Sequence, residues 1–164
     1  MTVLHVEKNA AELTMVVTTE FAASVDQVWR LWADATLFER WWGPPGFTPT
    51  SEEHDLTPGG RIAFFFTSPD GDKYPQAWEV VTVEPKTRLV LRDADLDESG
   101  TPSDGNSLTK FEISVSPAGD TTRMVLKSYF DSTAGMEHAI AMGIEEGMQL
   151  TLAKIDAVLA EVAA

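Results

Sequence analysis

The chain has 164 residues and a formal net charge of −14, from 12 Lys+Arg against 26 Asp+Glu. At about 150 residues per domain, that length predicts one domain over 1–164, with a core from about 12 to 162. Apolar residues at 43% and charged residues at 23% exclude a disordered chain, and the absence of Cys excludes disulfides, thiolate metal sites and a thiol nucleophile.

The opening segment is interrupted by Glu7 and Lys8, so it lacks the apolar core of a secretory signal, and a cytoplasmic location is the expectation. It reads as a loose N-terminus, with His5 inert in it. No stretch reaches the ~18 apolar residues of a membrane span. The basic residues are scattered, without a run able to follow a phosphate backbone or an anionic membrane surface, so neither is expected as a partner.

From Leu13 the pattern is strand-like: Leu13, Met15, Val17, Thr19 and Phe21 alternate with a more polar set. Ser24 and Gln27 form a capping box, with Val25, Val28, Trp29 and Trp32 at helical spacing behind them. A second short helix over Ala35–Trp41 stops at Gly43-Pro44-Pro45-Gly46. All nine prolines lie between Pro44 and Pro117, which predicts strands and turns in the middle and helices towards the ends.

Strands follow over 48–56, 61–66, 74–83, 88–92, 108–115 and 122–130, joined in part by the turn signals Pro58-Gly59-Gly60 and Asp70-Gly71. With the first strand they number about seven. Asp93–Asn106 is acidic and rich in Gly and Ser, and reads as an exposed hairpin loop. Its Asp93-x-Asp95-x-Asp97 opening has the spacing of a calcium loop, but the sixth position is Glu98 and the twelfth Asp104. The last element is a long helix, on which Ile140, Ile144, Met148, Thr151, Ile155, Val158 and Val162 form one apolar stripe. Gly143 and Gly147 stand one turn apart on it, each costing roughly 1 kcal/mol against Ala, so close approach of another element is expected there.

Specific residues sharpen this order. Ser24-x-Asp26-x-Val28-Trp29-x-x-Trp32, Trp41-Trp42-Gly43-Pro44, Asp55-Leu56-x-Pro58-Gly59-Gly60-Arg61, Asp70-Gly71, and Glu84-Pro85 followed by Leu89-Val90 resemble the heat-shock ATPase activator homologues, bacterial stand-alone type, within the START-like (SRPBCC) superfamily. The resemblance runs from about Glu12 to Val162. It implies an α+β helix-grip fold: about seven antiparallel strands wrapped around a long C-terminal helix, with two short helices after the first strand. It also implies a cavity for apolar molecules between sheet and helix. Two departures bear on that cavity. Trp78 stands where the family usually has a small residue, and would occupy cavity volume if it points inward. Gly143-Ile144 stands where the family often has Gly-Trp.

The cavity-lining candidates are Trp41, Phe64, Phe66, Trp78, Phe111, Ile113, Met124, Leu126, Ile140, Gly143, Ile144 and Gly147, with His54, Tyr129 and His138 as polar candidates. The alternative is a solid core with no cavity. Four of the five tryptophans fall within Trp29–Trp42; they either lock the short helices onto the sheet or form an aromatic platform, with Trp41 and Trp42 the exceptions to look for. No metal site is expected: Glu52-Glu53-His54-Asp55 alternates across a strand, and His138 has no second histidine four residues away. Gly-x-Ser-x-Gly, phosphate-loop and dinucleotide motifs are absent, so no catalytic residue and no cofactor are assigned. An acid or base would have to be a buried exception such as Glu79, Glu112 or Tyr129.

These readings favour non-covalent binding of a small apolar ligand. A polyketide cyclase or dehydratase-like enzyme using the same cavity is the alternative, and a chaperone-interacting module the third. Monomer and homodimer both remain open.

Overall fold

The computed structural model describes residues 2–43, 46–94 and 108–163. Strand β1 (Thr2–Asn9) leads into β2 (Thr14–Phe21), then come helices α1 (Val25–Ala33) and α2 (Ala35–Trp41). Strands β3 (Thr48–His54), β4 (Arg61–Thr67), β5 (Lys73–Glu84), β6 (Arg88–Asp93), β7 (Leu108–Ala118) and β8 (Thr121–Phe130) follow. The C-terminal region is helical: α3 (Thr133–Ala141), α4 (Ile144–Ala153) and α5 (Ile155–Ala163). The strands form one antiparallel sheet in the order β1-β2-β8-β7-β6-β5-β4-β3. No helix among the described residues is long and apolar enough to cross a membrane.

Among the described residues the sheet has eight strands, one more than the sequence predicts. The additional one is β1, in the segment read as a loose terminus. It pairs with β2 from Thr2↔Glu20 to Asn9↔Thr14, and the Asn9 side chain accepts from the Ala11 and Glu12 amides at 3.0 and 3.1 Å to close the turn. An edge strand with one solvated face tolerates charges such as Glu7 and Lys8, so their presence does not exclude a strand. His5 is therefore a strand residue, exposed and beside Glu7.

The helix pair is set locally. The Ser24–Gln27 capping box starts α1. Asp34 then ends α1 with its backbone and starts α2 with its side chain, which accepts from Thr36 and Leu37 amides at 2.9 and 3.3 Å. One shared residue with a non-helical φ of −98° and ψ of 115° thus fixes both helices.

The long C-terminal helix is instead broken into three segments. Ser132 caps the first, accepting from Gly135 N at 2.9 Å. The break before α4 falls at Gly143, whose φ of +84° lies in the left-handed region that glycine adopts without a steric penalty. Lys154 interrupts the hydrogen-bonding between α4 and α5 but keeps right-handed dihedrals, so the apolar stripe continues across it: Met148, Thr151, Ile155 and Val158 are all buried.

The core lies between the helices and one face of the sheet. Met15, Val17 and Phe21 from β2, Ile62 and Phe64 from β4, Leu89 and Leu91 from β6, Ile113 from β7, and Met124 and Leu126 from β8 are at most 1% exposed. Burying a side chain of this size contributes roughly 1.5–3 kcal/mol. The opposite face carries ion pairs, including Arg92 with Glu79 and Arg88 with Glu112.

Candidate functional site

A cavity of about 230 Å³ opens where α4 parts from the sheet. Its walls are Trp42 and Gly43 after α2, Phe66 on β4, Gln76 and Trp78 on β5, Phe111 on β7, and Ile144, Gly147, Met148 and Thr151 on α4. The aromatic part is built from rings at steep angles. Trp42 meets Trp78 at 5.3 Å and 87°, Trp42 meets Phe111 at 5.9 Å and 89°, and Trp78 meets Phe111 at 5.6 Å and 64°. Edge-to-face pairs of this kind are worth about 0.5–1.5 kcal/mol each beyond their burial. They hold the wall rigid and present both ring faces and ring edges.

Gly147 supplies the space on the helix side. A Cβ placed there would meet nothing within 4 Å, so the predicted close approach is absent and this glycine leaves the cavity open. At Gly43 the close approach is real: its φ is +95°, and a Cβ would overlap the Phe66 ring.

Five of the twelve apolar candidates reach the cavity: Phe66, Trp78, Phe111, Ile144 and Gly147. Trp78 points inward and is 6% exposed, touching Phe38, Phe64, Trp42 and Phe111, so it occupies part of the volume between the layers. Trp41, Phe64, Ile113, Met124 and Leu126 are at most 1% exposed and sit in the packed core. Ile140 packs against that core and Gly143 starts α4. Of the tryptophans, Trp32 and Trp41 are structural: their indole N–H groups donate to Met124 Sδ at 3.4 Å and to the Leu31 carbonyl at 2.9 Å. Within Trp29–Trp42, Trp42 is the exception that lines the cavity.

None of the three polar candidates lines the cavity. The His54 Nε2 lies 2.7 Å from the Trp32 carbonyl, tying β3 to the last turn of α1, and its ring packs on Phe38 at 5.5 Å. His138 is exposed on α3. Tyr129 lies on the opposite face of the sheet, where its hydroxyl donates to Glu112 Oε2 at 3.1 Å. The candidate acids are there too, Glu112 with Arg88 and Glu79 with Arg92. Burial pushes the Glu112 carboxyl up, but hydrogen bonds from Arg88 and Tyr129 outweigh it and hold the group below its ordinary value.

The lining outside the candidate list is Trp42, which the sequence marked only as a tryptophan to look for, and Gly43, Gln76, Met148 and Thr151. Gln76 is two residues from Trp78 on the same strand and so shares its face. Met148 and Thr151 continue the spacing of Ile144 and Gly147.

Besides the indole N–H groups of Trp42 and Trp78, Gln76 and Thr151 are the described wall residues with side-chain hydrogen-bonding groups, and the Thr151 hydroxyl already donates to the Gly147 carbonyl at 2.9 Å. The Gln76 amide has no partner among the described residues. Beside the wall, Lys154 donates from Nζ to the Gly43 carbonyl at 2.6 Å, and burial lowers its pKa from the usual lysine value. The described residues hold no cluster of three or more His, Asp or Glu fit for a metal. The calcium-like spacing after Asp93 lies, beyond Ala94, outside the described residues.

An antiparallel sheet packed on C-terminal helices, with two short helices after β2 and an apolar cavity between the layers, defines a helix-grip protein. The chain belongs to the family of activator of Hsp90 ATPase homolog 1-like proteins, which matches residues 22–160. It is similar to a protein from Arthrobacter aurescens solved by NMR, at 39% identity over 98% of this chain and 93% of that one, with a TM-score of 0.87. It is also similar to the crystal structure of Ms6760 from Mycobacterium smegmatis, at 31% identity, 98% and 99% coverage and a TM-score of 0.83. NE0264 from Nitrosomonas europaea, at 24% identity, 93% and 97% coverage and a TM-score of 0.82, shares the fold. No curated protein matches the chain.

Proposed function

We propose that the protein binds a small apolar molecule without covalent chemistry, in the cavity between β4, β5 and β7 on one side and α4 on the other. The observation that carries this reading is the space itself: about 230 Å³ walled by Trp42, Phe66, Trp78, Phe111, Ile144 and Met148. That is below the roughly 300–1,000 Å³ of pockets for drug-sized ligands, so the guest is a one- or two-ring molecule. Transfer of its apolar surface from water contributes about 25 cal/mol per Å² buried, and the rigid wall limits the ordering cost.

Binding is favoured over a cyclase or dehydratase activity because no carboxylate, histidine or tyrosine lines the cavity among the described residues, and Lys154 beside it is bound to the Gly43 carbonyl. Proton transfer needs such a group within hydrogen-bonding reach of the substrate. A chaperone-interacting role has the family relationship behind it, but no specific surface feature of the described residues supports it.

Titration with naphthalene tests the proposal. Two-dimensional NMR of the protein is expected to show saturable shifts at the Trp42 and Trp78 indoles and the Ile144 methyls, abolished in Gly147→Leu, whose side chain fills the space. Absence of saturable shifts up to the solubility limit, or shifts that persist unchanged in Gly147→Leu, would overturn it.

A further inference from the structure

We propose that the guest of this cavity is amphipathic, an aromatic or similarly flat apolar body carrying one carboxylate, and that the Lys154 ammonium is the group that recognises the carboxylate. The proposal rests on the cavity-binding reading above and names the chemical class of its ligand.

The position of Lys154 carries the argument. Gly147 and Thr151 line the cavity, and Lys154 is the next residue at helical spacing along the same stripe. Its Nζ lies 2.6 Å from the carbonyl of Gly43, itself a wall residue, so the charge stands at the border of the apolar space. An ammonium has three donors. One is used by Gly43, and the described residues supply no carboxylate for the others. The nearby basic residue on α2 differs in this respect, because Arg40 is paired with Glu161 of α5. A partly desolvated cation without a counter-ion is costly, and burial accordingly lowers the pKa of Lys154. A carboxylate at the cavity rim would supply the missing charge in a water-poor site, where charge-assisted hydrogen bonds are at their strongest.

Residues carrying further donors line the same space. The amide of Gln76 is unpartnered, and the indole N–H groups of Trp42 and Trp78 donate to no described acceptor. The wall thus offers donors to the guest and no free carboxylate. The net charge of −14 opposes an anion only at long range. At physiological ionic strength charges are screened over about 8 Å, so direct contact with Lys154 outweighs distant acidic residues.

Three guests of one shape separate the possibilities: 2-naphthoate, the neutral 2-naphthylmethanol and the cationic 2-naphthylmethylamine. Calorimetric titration at pH 7 is expected to show 2-naphthoate binding roughly tenfold more tightly than the alcohol, the scale of one charge-assisted hydrogen bond, and the amine most weakly. Lys154→Met is expected to erase the preference for the carboxylate while leaving the affinity for the alcohol, and Lys154→Arg to keep the preference. A second measurement on the unaltered protein covers the case in which Lys154→Met does not fold. The Lys154 side-chain carbon resonances should shift with 2-naphthoate and not with the alcohol. Equal affinities for the carboxylate and the alcohol, a preference that survives in Lys154→Met, or unmoved Lys154 resonances would overturn the inference and leave the cavity-binding reading intact. If no guest binds, the cavity-binding reading itself falls.

Discussion

Trp42, at the end of α2, and Trp78, in the middle of β5, meet edge to face with ring centroids 5.3 Å apart. Their contact joins the helix layer to the sheet at the point where the two layers begin to part. Trp78 also packs on Phe38, Phe64 and Phe111 at 5.2–6.1 Å. It is therefore both core and cavity wall, and its removal has a cost and a consequence.

Trp78→Ala is expected to destabilise the fold by about 3–5 kcal/mol, the usual range for truncating a buried large aromatic. The same substitution enlarges the cavity, so three-ring guests such as phenanthrene should enter the variant and be refused by the native chain. Denaturant unfolding and NMR titration read the two effects separately. A loss below about 1 kcal/mol would mean that Trp78 is not packed as described.

Gly147 and Gly143 should respond to alanine in opposite directions. Gly147 lies inside α4 with no obstacle to a Cβ, so Gly147→Ala is expected to stabilise by up to about 1 kcal/mol through helix propensity. Gly143 has a φ of +84°, where a Cβ is strained, and Gly143→Ala should cost about 1–2 kcal/mol. Thermal melting of the two variants is sufficient, and equal shifts would contradict the break between α3 and α4.

This contrast also marks what the sequence could reveal. Spacing placed both glycines on one helix, because a 3.6-residue period cannot report a single left-handed residue within it. Most strands were legible from alternation and turn residues, and the family motifs ordered them. Tyr129, by contrast, was misread as a cavity candidate although the pattern held the answer: parity with Met124 and Leu126 sends Ser128 inward and Tyr129 outward. The cavity was less legible. Ile113, Met124 and Leu126 share the alternating apolar pattern of Phe111 and Phe66, yet helices cover them completely. Where the two layers separate is a long-range property, which local pattern does not encode.

On the outer face, Glu112 gives a pH dependence whose sign follows from its bonding partners. Burial raises its pKa, but the bonds from Arg88 at 3.0 Å and Tyr129 at 3.1 Å dominate and hold it below the ordinary 4.5. A carboxyl with a depressed folded value stabilises fully above its unfolded value, and that contribution fades as pH falls through the folded one. The native chain is therefore expected to lose melting temperature below about pH 4.5, and Glu112→Gln to lose less over the same interval. Parallel melting curves for the two proteins from pH 7 to pH 3 would refute the assignment.

Gly43 links the backbone to the site, and comparison with Gly59 isolates how. Both have positive φ, +95° and +85°, so an alanine at either carries a similar backbone strain of about 1–2 kcal/mol. A Cβ at Gly59 meets nothing within 4 Å, whereas one at Gly43 overlaps the Phe66 ring. The excess destabilisation of Gly43→Ala over Gly59→Ala therefore reads the steric conflict with Phe66 alone. Because Phe66 is a cavity wall and the Gly43 carbonyl holds Lys154, Gly43→Ala should also weaken guest binding, while Gly59→Ala should leave it unchanged. Equal stability losses with equal affinities would show that the Gly43 backbone does not shape the cavity.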